Sequence, residues 1–98
     1  MDIQLTCRHF DLSDEIRDYA NKKIEHVLKH FDGVHSVEMI LNAEAGSVTV
    51  ELIVGTVHSQ RLVATANATD VKVAIDVVEG KMDRQVKKTK EKLRGHHG

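Results

Sequence analysis

Across residues 2–9 the chain alternates. Ile3, Leu5 and Cys7 fall on one side and Gln4, Thr6 and Arg8 on the other, which is the period-two pattern of a half-buried strand. The period then changes. Ile16, Tyr19, Ala20, Ile24, Val27, Leu28 and Phe31 recur at helical spacing. Ser13 is placed to cap this helix and Leu12 to staple its entry, while Asp14 and Glu15 sit at its positive end. Asp32-Gly33 stops it, because Gly33 is free to take left-handed backbone. Three more alternating runs follow. Residues 34–42 set Val37, Met39 and Leu41 on one face. Residues 47–55 do the same for Val48, Val50, Leu52 and Val54, and residues 58–68 for Leu62, Ala64, Ala66 and Ala68. The short breaks at 43–46 and 55–57 predict hairpins.

The last pattern, over residues 69–93, organises the rest. Val71, Ala74, Ile75, Val78, Met82, Val86 and Leu93 form one apolar stripe about 100° wide. Thr69 or Asp70 is available as its cap. Gly80 falls in mid-helix at a cost of ~1 kcal/mol relative to alanine, marking either a bend or close approach, or a tolerated surface position. The alanines of the preceding strand would let this helix sit close to the sheet. The order is therefore β-α-β-β-β-α, an α+β fold. The first crossover is parallel and right-handed, a meander follows, and both helices cover one face of a four-stranded sheet. The arrangement resembles a double-stranded-RNA-binding domain with an added first strand.

Charge changes the picture more than composition does. At 98 residues with 41% hydrophobic content the chain suits one globular domain, expected over 1–94 with a flexible tail at 95–98. It contains no long apolar run for a membrane and no visible secretory signal, and its one cysteine fits a reducing cytoplasm. The formal net charge is −1, yet residues 1–80 carry a balance of −6 and residues 81–98 one of +5. The bases of the last helix divide by projection at ~100° per residue. Lys81, Arg84, Lys88 and Lys92 lie together beside the apolar stripe and suit an anion. Lys87, Lys90 and Arg94 lie on the other flank with Asp76, Glu79 and Asp83, expected as a solvated salt-bridge face with Asp83 four residues before Lys87. A lysine-rich helix end that only complements the dipole is the plainer alternative.

The same helix carries a more specific pattern. Ala74-Ile75-Asp76, Lys81-Met82, Arg84-Gln85-Val86, Lys88, Lys90 and Lys92-Leu93 resemble the ribosome hibernation promoting factor family, also called sigma-54 modulation proteins. Leu12-Ser13, Arg17, Tyr19, Lys23 and His30-Phe31-Asp32 agree with its first helix, and Ala64-Thr65-Ala66 with Asp70 agree with the approach to its last. Gly80 stands where an acidic residue is usual, and the segment 43–46 is sparse in charge. The resemblance implies a short-form member that binds the small ribosomal subunit in the mRNA/tRNA channel. Such a protein inhibits translation and preserves idle ribosomes in stationary phase, without catalysis or cofactor. It implies Lys23, Lys81, Arg84, Lys88, Lys90 and Lys92 as the RNA-contacting residues, Lys90 being contested by its projection onto the other flank. Ribosome modulation factor is the implied candidate helper, and the protein is expected as a monomer off the ribosome.

Other chemistries have weaker support. Tyr19 and Phe31 are expected in the core, which leaves no aromatic platform for stacking single-stranded RNA. Cys7 with His9, His26 with His30 at i, i+4, and His96-His97 have metal-ligand spacing but no third ligand nearby in sequence. A protein-interaction module without an RNA role would use the other sheet face, where Ile40, Ile53 and Val63 point.

Overall fold

The structure is a computed structural model. It describes residues 2–57 and 61–95, and of those the side chains of His30 and of residues 90–95 lie outside the description. The elements are β1 (Asp2–Arg8), α1 (Asp14–His30), β2 (Val34–Glu44), β3 (Ser47–Thr56), β4 (Arg61–Ala68) and α2 (Val71–Gly95). The four strands form one sheet in the order β1-β2-β3-β4. β1 runs parallel to β2 and the remaining neighbours are antiparallel. Both helices cover one face, as the single-sided alternation of the strands requires.

Local chemistry fixes the element ends. Ser13 caps α1 by accepting from the amide of Ile16 at 3.2 Å. Gly33 ends the turn after α1 with φ +85° and Gly46 turns the β2–β3 hairpin with φ +78°, both left-handed. Asp70 rather than Thr69 caps α2, its carboxylate accepting from the Lys72 amide at 2.8 Å.

Two boundaries differ from the sequence pattern. β3 does not stop at Gly55. Thr56 pairs with Val34, and Val57 donates to the Gly33 carbonyl at 2.7 Å, so the expected tight turn at 55–57 does not form, and residues 58–60, the expected start of the last strand, lie outside the described residues. A bulge between Val34 and Ser36 accompanies this extension and presses Ser36 and His35 against Gly55, where a Cβ would collide with the Ser36 hydroxyl. At the other end β1 stops at Arg8. His9 takes φ +70°, which breaks the alternation that would have set it beside Cys7.

The core is the expected one. Ala20, Ile24, Val27 and Phe31 of α1 and Val37, Met39, Leu41, Val50, Leu52 and Val54 of the sheet are buried, together with Ala74, Ile75, Val78, Met82 and Val86 of α2. Ala64 and Ala66 on β4 are buried too, and α2 lies along β4 and β3. Tyr19 is only half-buried, since its ring lies between the helices rather than within the core. Val86 is the last buried side chain described on α2, and Leu93, expected on the same stripe, lies outside the described side chains. The expected tail falls mostly outside the description, because α2 reaches Gly95 and residues 96–98 are not described.

Gly80 does not bring α2 close to a neighbouring element. A Cβ there meets only the Arg84 guanidinium, at 4.0 Å. Gly80→Ala should therefore raise stability by about 0.5–1 kcal/mol, mainly by lowering the entropy of the unfolded chain. Urea denaturation with an unchanged m-value would show it, and a loss of stability would mean that the helix uses the glycine.

Candidate nucleic-acid interface

Packing the α2 stripe onto β3 and β4 fixes the direction of every other α2 side chain. On one flank Lys81 donates to the Thr65 carbonyl at 2.7 Å and Gln85 to the Val63 carbonyl at 2.7 Å. β4 is an edge strand, and these two side chains occupy carbonyls that would otherwise stand open. Lys81, Arg84, Lys87 and Lys88 are all exposed. Among the described residues none of the four has a carboxylate within ion-pair distance, and the expected Asp83–Lys87 pair does not form. Lys90 and Lys92 are helical in backbone, but their side chains lie outside the described residues.

The opposite flank differs from a solvated face. Asp76 and Glu79 are turned toward α1. Lys23 lies 3.4 Å from Asp76 and 3.5 Å from Glu79, its ammonium 5.2 Å from the centre of the Tyr19 ring. The Tyr19 hydroxyl donates to Asp76, and His26 Nδ1 lies 2.9 Å from Glu79 Oε2. Lys72 reaches back to Glu15 and also over the Tyr19 ring. The structure therefore separates the predicted contact residues. Lys81, Arg84 and Lys88 share one side of α2, whereas Lys23 sits on the other, held by two carboxylates. The projection of one helix carries no information about where its neighbour packs, so the acids looked free in the sequence.

Residues that the sequence pattern passed over complete the basic flank. Val73 is 50% exposed and Val77 43%. At four-residue spacing before Lys81 they continue the row toward the N-terminus as an apolar ridge. Their signal was present, as valines lying off the stripe. The far sheet face holds a shallow groove of about 390 Å³ that includes His35, Glu38, Ile53 and Arg61. Among the described residues no group of three or more His, Cys, Asp or Glu could hold a metal ion, and no helix is long and apolar enough to cross a membrane. His9 bonds to Asn42 at 2.7 Å, and the Cys7 thiol, pushed up by burial and then by Asp11, donates to the Phe10 carbonyl at 3.2 Å.

The sequence and the fold have known counterparts. The family model "Sigma 54 modulation protein / S30EA ribosomal protein" matches residues 3–94. The chain belongs to this family. It is 35% identical over 92 residues to the ribosome hibernation promoting factor of Azotobacter vinelandii, covering 94% of this chain and 85% of that protein. Against the Escherichia coli K12 protein of the same name the identity is 26%, over 98% of this chain and all of the other. Among solved structures, the Thermus thermophilus Protein Y N-terminal domain superposes with TM-score 0.80 at 26% identity, over 91% of this chain and 99% of that one. A ribosomal subunit interface protein from Coxiella burnetii shares the fold, with TM-score 0.84 at 23% identity over 93% and 99% of the two chains.

The interhelical network gives a pH signature. For Lys23, burial opposes the charged form, but Glu79, Asp76 and Tyr19 together outweigh it, and the ammonium is held above its ordinary value of 10.5. The hydrogen bond to Asp76 likewise raises Tyr19 above 10.0. Raised values mean that the network's contribution is complete below the ordinary values and is lost as pH rises through the raised ones. The stability difference between the wild-type protein and Lys23→Met should be constant from pH 7 to about 9 and shrink in the alkaline range. Paired thermal melts across pH would check this, and a difference that stays constant through the alkaline range would contradict the network.

Proposed function

We propose that this protein is a cytoplasmic ribosome hibernation factor. It binds the small ribosomal subunit in the mRNA/tRNA channel, inhibits translation there and preserves idle ribosomes in stationary phase. Family membership supports the ribosomal role. The observation that carries the interface is the division of the bases on and around α2. Lys23 and Lys72 are already neutralised within the fold, whereas Lys81, Arg84 and Lys88 stand exposed in a row without carboxylate partners among the described residues. Phosphate contact needs such a row of permanently charged side chains and no cleft of perturbed acids. Val73 and Val77 add a nonpolar strip alongside, and Lys92 extends the row by helical position. Lys90, implied by the resemblance, projects to the other flank. Lys23 contributes on this reading only by exchanging Asp76 and Glu79 for phosphate. Ribosome modulation factor is the candidate helper protein.

Lys88 and Lys87 provide the cleanest test, because they are adjacent, equally charged and both exposed, yet lie on different flanks. Lys81 is a poorer choice, since its loss also uncovers the β4 edge. Lys88→Glu should weaken co-sedimentation with purified small subunits at least about tenfold more than Lys87→Glu, a difference of ~1.4 kcal/mol. Binding by the unaltered protein should fall steeply with salt, with a log–log slope on the order of −0.7 to −0.9 per neutralised phosphate. Equal losses in both variants would reduce the helix to its total charge. No loss in either would shift attention to the groove on the far sheet face and a role in protein interaction without RNA.

A further inference from the structure

The two edges of the sheet are finished differently. On β4, Lys81 and Gln85 occupy the outward carbonyls of Thr65 and Val63. On β1 no side chain does this among the described residues. β1 pairs with β2 along its whole length and packs Leu5 and Cys7 against the core, but its outer edge has no strand neighbour. Ile3, on the helix-covered side of the sheet, is left 49% exposed. Asp2 and Arg8, at the two ends of the strand and on its other face, are both exposed, and neither has an ion-pair partner among the described residues.

This strand is complementary to itself. An antiparallel pairing of β1 with β1 of a second copy, with the two-fold axis at Leu5, sets Asp2 opposite Arg8, Ile3 opposite Cys7, Gln4 opposite Thr6 and Leu5 opposite itself. Both charged pairs then fall on the open face, and the apolar residues meet on the helix face. Shifting the register by one residue would oppose side chains from different faces. Shifting it by two places Arg8 opposite Gln4 or Asp2 opposite Thr6, and the charge pairing is lost. Within β1 only the register centred on Leu5 pairs all of its residues and both charges. We propose that β1 is a homodimerisation edge, through which two copies join their sheets into one with both helical layers on the same face. The occupant is a second copy of this chain because the charge pattern is palindromic, as an isologous two-fold contact requires. A strand pair of this length falls below the ~1,000 Å² of a stable interface, so the association is weak and concentration-dependent. It refines the expectation of a monomer, which holds at low concentration. It is independent of the ribosomal proposal, since β4 and the basic flank lie at the opposite edge of the sheet.

Charge exchange tests it. Sedimentation velocity from micromolar to millimolar protein should show a monomer–dimer equilibrium. Asp2→Arg and Arg8→Asp each convert two symmetry-related attractions into repulsions and should raise the dissociation constant about tenfold. The exchanged variant carrying both substitutions should restore it. In the unaltered protein, amide resonances of Asp2–Arg8 should move with concentration while those of β4 stay fixed, a measurement that needs no variant. A protein monomeric to millimolar concentration would overturn the proposal. So would a dimer indifferent to the single substitutions, a folded exchanged variant that stays as weak as the singles, or concentration-dependent shifts confined to α2 or β4.

Discussion

The close seat of α2 on the small residues of β4 governs the molecule. Ala64 and Ala66 offer almost no side-chain height, so the helix settles directly over them with Ala74, Ile75, Val78, Met82 and Val86 turned inward. A helix has one rotational freedom about its axis. Once that stripe is buried, no further choice remains. Lys81 and Gln85 must overhang the β4 edge, Asp76 and Glu79 must face α1, and Arg84, Lys87 and Lys88 must point outward. The charged surface is thus a by-product of apolar packing, whose burial terms outweigh any of the exposed ion pairs it arranges.

That arrangement uses the charges unequally. The carboxylates of the first half of α2 are matched within the fold by Lys23 and His26 of α1. Pairs this exposed contribute less than about 1 kcal/mol each, so their effect is more to orient the two helices than to stabilise the domain. Their electrostatic consequence is larger. With these acids occupied, the bases of the second half are left to set the local field, and a chain of net charge −1 presents a positive surface.

The sheet edges show the same economy in a different form. An open edge invites uncontrolled strand pairing. On β4 the helix that fills the core also supplies the two donors that close the edge. On β1 no helix side chain supplies such donors among the described residues, so the finish of that edge depends on its own side chains, with an acid at one end and a base at the other.

The sequence by itself determined the elements, their order, the face each buries, the start of α1 at Ser13 and its stop at Gly33. These follow from periods of two and 3.6 and from caps, all of which act within a few residues. It also located the basic row on α2, since a helix projection needs no partner. It misplaced the end of β3, because Thr56 is held by Val34 across a bulge, a pairing invisible from either segment alone. It took Asp76 and Glu79 for solvent-facing acids and gave no sign of their pairing with Lys23, because that meeting joins residues more than fifty apart in sequence. It gave Lys81 one role where the structure gives two, since the Thr65 carbonyl comes within reach only when α2 lies along β4. Only the tertiary structure could decide which charges are matched and which remain open, because charge pairing depends on distances through space that no local period encodes.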